Sequence, residues 1–241
     1  MTVLDDLLNS LEGDAPVRMI LVGAHWTLVC SRRCGLAATL INDHPHGHAM
    51  VRDAGRLHLK SARELAEYAR SDTLLEASIG VAALNSLLEA DESQFVELNA
   101  YDLLAQEGQG RNVVLIGHFP FISKLRSIVG QLWVVEQHPS QGEYPAEAAV
   151  ELVPQADIIA ITSSTLINHT LDDLLKLRSP QATLMLLGPS TPLSPVLFTH
   201  RATLLSGAWV IDEEAVVRSI SQGASFRQVE GVRLVTMRKP V

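Results

Sequence analysis

Some stretches of this 241-residue chain carry side chains that could do chemistry. Asp43-His44-Pro45-His46-Gly47-His48 gathers three imidazoles and a carboxylate in one short run. Nitrogen and oxygen donors of this kind suit zinc, nickel or cobalt. His44, His46 and His48 are therefore candidate ligands for a divalent transition metal. Pro45 and Gly47 place them on a loop, and no Cys-x2-Cys spacing accompanies them, so a solvated loop with adventitious metal affinity is the competing reading. Cys30 and Cys34 read as small core residues, with a ligand role as the alternative.

A second group follows from Val113-Val114-Leu115-Ile116-Gly117-His118-Phe119-Pro120. The unbroken apolar run reads as a strand of a parallel sheet covered on both faces. Gly117 at its end lets the backbone turn sharply or a ligand approach. Glu136 lies about 20 positions further on, the spacing at which an acidic residue takes a ribose hydroxyl in dinucleotide folds. The glycine fingerprint for a pyrophosphate is absent, because His118 and Phe119 follow Gly117. Glu136 then either orients a ligand's hydroxyl or amine, or caps a neighbouring helix. A free imidazole changes charge near neutral pH, so His118 is read as either a proton-transfer group or a satisfied structural histidine.

Two hydroxyl-rich loops complete the set: Thr162-Ser163-Ser164-Thr165 and Gly188-Pro189-Ser190-Thr191. Each opens onto a helix, where free N–H groups and hydroxyls favour an anionic group. Plain N-capping is the alternative. Asn85, in Gly80-Val81-Ala82-Ala83-Leu84-Asn85, sits among small residues and must be exposed or paired. It reaches a cleft or caps a backbone group. No Gly-x-Ser-x-Gly elbow supports a hydrolase triad.

Elements must position these groups. A helix over residues 1–12 is followed by strands at 17–22, 26–30 and 34–40, a loop at 42–55, and helices at 61–70 and 74–90. Ser61 and Glu64 have capping-box spacing. From Arg111 the pattern alternates. Strands at 112–117, 131–136, 156–161, 182–187, 203–210 and 232–237 flank helices at 121–129, 146–152, 168–177, 194–200 and 212–221. This predicts an α/β chain: an α+β domain over 1–108 and a parallel-sheet domain over 109–241, divided at the polar Gln106–Gly110 segment.

Composition bounds the function. With 47% hydrophobic and 19% charged residues the chain supports a sizeable core. A net charge of −8 argues against nucleic-acid and anionic-membrane partners. No apolar run spans a bilayer and the N-terminus is unlike a signal peptide, so a cytoplasmic protein is expected. Homodimerisation is compatible with such a chain.

The segments Cys34-Gly35-Leu36-Ala37, Gly80-Val81-Ala82-Ala83-Leu84-Asn85, Gly117-His118-Phe119-Pro120 and Gly188-Pro189-Ser190-Thr191-Pro192-Leu193 resemble those of the family called putative heavy-metal chelation. The resemblance spans most of the chain. It implies an enolase-N-terminal-like first half, a Rossmann-like second half and a site where they meet. It does not imply enolase activity, because the enolase catalytic barrel is absent. The expected function is binding of a small anionic or metal-chelating ligand in the interdomain cleft. Gly117, His118 and Phe119 form one wall, Glu136 orients the ligand, Thr162, Ser163, Gly188, Ser190 and Thr191 hold an anionic group, and Asn85 comes from the other half. If a reaction occurs, His118 or Glu136 moves the proton. One alternative is a transferase using an adenosine-containing cofactor such as S-adenosylmethionine. Another is a non-catalytic scaffold subunit.

Overall fold

The computed structural model describes residues 1–41, 50–89, 91–98 and 100–240. His44, His46 and His48 lie outside the described residues.

Helix α1 (Val3–Asn9) starts in a capping box: Thr2 Oγ1 accepts from Asp5 N, and the Asp5 carboxylate accepts from Thr2 N. Its Leu4, Leu7 and Leu8 are buried. Strands β1 (Met19–Val22), β2 (Trp26–Cys30) and β3 (Cys34–Ala38) form an antiparallel sheet in the order β1-β2-β3. Helix α2 (Ala62–Ala66) begins in the expected Ser61–Glu64 capping box and runs into a 3-10 turn over Glu67–Arg70.

Helix α3 (Leu74–Leu87) is buried almost all round, so it lacks an amphipathic stripe. It packs between β3 and the turn after α2. A Cβ on Gly80 would lie 1.9 Å from Ala69 N, and one on Gly35 would lie 2.2 Å from Ala82 O. Backbones approach this closely only where the side chain is missing. The odd-numbered residue Val29 of β2 and Ala37 of β3 join the core on the α3 side. Leu28, Cys30, Cys34 and Leu36 face the other way and pack on Val216 and Ile220.

The second half contains α4 (Ala100–Glu107), β4 (Asn112–Ile116), α5 (Ile122–Leu125), β5 (Gln131–Glu136), β6 (Tyr144–Pro145), α6 (Ala149–Leu152), β7 (Ile158–Thr162), α7 (Leu171–Leu177), β8 (Thr183–Leu187), α8 (Val196–Thr199), β9 (Leu204–Val210), α9 (Glu213–Ser221) and β10 (Val232–Arg238). Its strands form one sheet in the order β10-β9-β8-β7-β4-β5-β6. Neighbouring strands from β9 to β6 pair in parallel. Alternate residues fill opposite faces: Val114, Ile116, Ile159 and Ile161 on one, Val113, Leu115, Ile158 and Ala160 on the other. The first of these faces shares a continuous core with α1, α2 and α3.

The last strand departs from the expected parallel pattern. β10 pairs antiparallel with β9. The cause is α9, which does not cross back over the sheet. Its Val216 and Ile220 are buried against β2 and β3 of the small sheet. The chain then returns to the end of β9 it left, where Ile211 N and Asp212 N both donate to Gly231 O. The bidentate Arg18–Glu213 pair also ties β1's flank to the start of α9. Cys30 and Cys34, expected as separate core residues, are directly opposed across the β2–β3 hairpin. They are buried and joined in a disulfide.

Candidate functional site

Strand order places a crevice before any side chain is considered. The chain leaves β4 toward β5 and β6 on one side, then returns to β7 on the other. Loops after β4 and β7 therefore diverge, and a hollow opens beyond their carboxyl ends. A cavity of about 430 Å³ lies there, lined by residues following β4, β5 and β7, by α7, and by Leu40 from the first half.

The floor depends on one close approach. Gly117 follows β4 with φ +110°, a conformation other residues rarely adopt, and donates to Val135 O at 3.0 Å. A Cβ here would lie 2.7 Å from Thr162 Cγ2. Gly188 stands on the other side of Thr162, its Cβ position 3.9 Å from Thr162 Oγ1. Gly117 thus lets Thr162 sit between the ends of β4 and β8. Thr162 caps the 3-10 turn Ser163–Leu166, with its hydroxyl 3.0 Å from Ser164 Oγ.

Glu136 ends β5 and is half-buried at the cavity wall. One carboxylate oxygen accepts from Gln137 N at 3.0 Å. The other has no hydrogen-bond partner among the described residues. Asn168 adds an amide whose Oδ1 is occupied by Thr170 N and Oγ1. Asp173 on α7 is the second carboxylate, paired with exposed Lys176 at 2.7 Å. The rest of the lining is largely apolar, including Ile116, Val135, Ala149, Leu174 and Leu177, and among the described residues no Lys or Arg lines the cavity.

Gly117, Glu136 and Thr162 are thus brought together; the other expected residues are not. His118 projects to solvent on the rim, Nδ1 2.7 Å from Glu143 Oε1. The Ser140 N–H, and after it His118, hold the Glu143 carboxyl below its usual range. Phe119 is buried in the core on the far face of the sheet, stacked on Phe121 with centroids 5.3 Å apart.

Asn85, Ser163, Ser190 and Thr191 belong to a structural seam. β3 is an edge strand, and its outward backbone groups need partners. Ser190 Oγ accepts from Ala38 N at 2.8 Å, and Asn85 Nδ2 donates to Leu36 O at 2.9 Å and Ser190 O at 3.2 Å. Behind them, Ser163 Oγ lies 2.8 Å from Thr191 Oγ1, which donates to Gly188 O. These hydroxyls are consumed in holding the small sheet to the loop after β8. Conversely, Asn168 and Asp173 carry no sequence mark; the one local sign is the left-handed His169 between Asn168 and Thr170, at φ +60°.

Residues 99–239 match one family described as putative heavy-metal chelation, and residues 4–88 match a second with the same description. The chain belongs to the first of these families. An uncharacterized protein of Methanocaldococcus jannaschii is 28% identical over 210 residues, 82% of this chain and 78% of that one. A crystal structure of a family protein of unknown function from Desulfitobacterium hafniense DCB-2 is 28% identical, covers 98% of both chains and superposes with TM-score 0.87. One from Pyrococcus horikoshii, at 20% identity, covers 98% of this chain and 100% of its own, with TM-score 0.83, and shares the fold.

The family's description makes metal donors worth testing against the geometry. Among the described residues the crevice offers carboxylates, hydroxyls and the amides of Gln137 and Asn168. These are hard donors, and they do not fit direct capture of a soft heavy metal, which prefers thiolate or imidazole. Among the described residues, Cys30, Cys34 and Glu213 form a group of potential ligands with the softer chemistry. That group lies at the far end of β3 from Leu40, away from the crevice. No helix among the described residues is long and apolar enough to cross a membrane.

Proposed function

We propose that the protein binds a small organic molecule in the crevice beyond β4, β5 and β7, through an apolar body against Leu174, Val135 and Ile116 and a hydroxyl or amine donated to Glu136. The observation that carries this is a half-buried Glu136 in an apolar hollow at the strand-order reversal, with one carboxylate oxygen unpartnered among the described residues. Thr162 and Ser164 supply further hydrogen bonds. Among the described residues no Lys or Arg lines the crevice, which favours a ligand without an anionic group there. An organic chelator that already carries its metal satisfies both the hard-donor lining and the family's description, because the chain then grips the chelator and not the ion.

A second reading, transfer from an adenosine-containing cofactor, is favoured by Glu136 itself, since a carboxylate at the end of the second strand is placed to take a ribose diol. A thermal-shift and calorimetric screen with nucleosides, S-adenosylmethionine, and metal chelators with and without metal separates the two. Stabilisation by adenosine compounds alone favours transfer; stabilisation by chelators or their complexes favours the first reading. No shift with either set rejects the crevice as a binding site. Glu136→Gln should weaken the responding ligand by roughly tenfold, about 1–2 kcal/mol for a charge-assisted hydrogen bond, with the melting temperature unchanged.

A further inference from the structure

The β2–β3 hairpin holds chemistry that the crevice does not use. Cys30 and Cys34 project from opposed positions to one face of the small sheet, and their sulfurs lie with a Glu213 carboxylate oxygen inside a 4.8 Å group. Glu213 comes from the first turn of α9, a different part of the chain, and is presented by Arg18 through two hydrogen bonds of 2.8 and 2.6 Å. Six residue steps along β3 and its extension, roughly 20 Å, separate Cys34 from Leu40 at the crevice. The two places are therefore distinct.

We propose that the reduced hairpin is a site for a soft divalent cation, with the thiolates of Cys30 and Cys34 and the carboxylate of Glu213 as its ligands, and that the disulfide is its closed form. Opening takes two electrons and two protons from a small-molecule dithiol, which leaves as its own disulfide while Cys30 and Cys34 become thiols. Cation binding then releases both thiol protons to solvent.

Geometry and charge support this assignment. Sulfurs sharing one tetrahedral zinc-like ion stand roughly 3.8 Å apart, given metal–sulfur bonds of about 2.3 Å. Opposed cysteines whose Cα atoms are 4.0 Å apart on one hairpin can reach that separation by side-chain rotation alone. Two thiolates neutralise a dication, and the extra negative charge of Glu213 is matched by Arg18 beside it. The side chains of Arg18 and Glu213 are 47% and 45% exposed, so an ion has a way in although the cysteines are buried. Sulfur donors also supply what the described lining of the crevice lacks for a soft ion.

The test is anaerobic titration of the chain with Cd²⁺, before and after reduction with a phosphine. The reduced chain should take up one ion with the ultraviolet thiolate-to-cadmium charge-transfer band, and the oxidised chain should show no band. Imidazoles at His44, His46 and His48 give no such band, so binding there is spectrally separate. Cys30→Ser and Cys34→Ser should each abolish the band's full intensity and cost at least roughly tenfold in affinity. Glu213→Gln, an exposed change, should keep the band and bind several-fold more weakly. The comparison of oxidised with reduced wild type needs no variant and stands even if a cysteine variant fails to fold. A reduced chain without the band, a band that survives Cys34→Ser at full strength, or Glu213→Gln binding as tightly as wild type would each overturn the site. Glu136→Gln should leave this titration unchanged, which keeps it separate from the crevice.

Discussion

At the scale of single residues, Gly117 and Glu136 do different work in the same wall, and substitutions should separate them. Gly117→Ala adds a methyl 2.7 Å from Thr162 Cγ2 at a left-handed backbone position. It should cost about 1–3 kcal/mol in denaturant unfolding and also lower ligand affinity by displacing Thr162. Glu136→Gln, by contrast, should move affinity alone. If Gly117→Ala leaves stability untouched, the close packing of Thr162 between β4 and β8 is not what fixes the floor. This contrast also explains what sequence could reveal. Gly117, Glu136 and Thr162 end apolar runs, and the end of a buried strand is where a crevice forms. Ser190, Thr191 and Asn85 look the same in sequence whether they face a ligand or an edge strand, because a hydroxyl or amide satisfies either. Only the β1-β2-β3 order, which leaves Ala38 N and Leu36 O unpaired within their own sheet, assigns them to the seam.

At the scale of elements, α3 is held at its first turn by a buried acid. Glu76 is 2% exposed and accepts from Ser71 Oγ at 2.6 Å, Arg52 N at 2.6 Å and Arg52 Nε at 2.9 Å. Burial raises its pKa, but the Ser71 hydroxyl, the Arg52 N–H and the Arg52 guanidinium together outweigh burial and leave it below the ordinary glutamate value. A carboxyl depressed by folding stabilises the native chain above its unfolded pKa, and that contribution disappears as pH falls through the folded value. Glu76→Gln should therefore destabilise by about 1–3 kcal/mol at neutral pH, the outer part of the pair being screened because Arg52 is exposed. The gap between variant and wild type should close on acidification below the ordinary glutamate range, as read by urea midpoints across pH. A gap independent of pH would mean that shape, not charge, sets the contribution. Element order was legible in sequence because strands covered on both faces are apolar throughout. The direction of β10 was not, since it depends on α9 burying Val216 and Ile220 on the small sheet instead of crossing the large one. Nor was α4, a short helix that buries Leu103 and Leu104 and runs directly into the polar Gln106–Gly110 segment.

At the scale of the whole molecule, composition change near residue 108 suggests two domains, yet the packing joins them. One core cluster runs from Leu7 and Leu65 through Val81 and Leu84 to Ile159, Leu184 and Trp209. The seam adds hydrogen bonds between β3 and the loop after β8, and His169 Nε2 meets Ser71 O at 3.0 Å. Halves that share buried surface lose it together, so unfolding of either exposes the other. Calorimetry should show a single transition with equal calorimetric and van't Hoff enthalpies. Ser190→Ala removes the acceptor for Ala38 N and should lower stability by about 1–2 kcal/mol, a fall in melting temperature of roughly 2–8 °C for a chain of this size, without splitting the peak. Resolution into two transitions in wild type would show that the halves fold independently and that the shared core contributes little. Two transitions in Ser190→Ala alone would instead assign their coupling to the seam. The crevice should follow the same logic. Leu40, which lines it, follows β3 by two residues, so a variant that loosens the seam should weaken crevice ligands without touching Glu136.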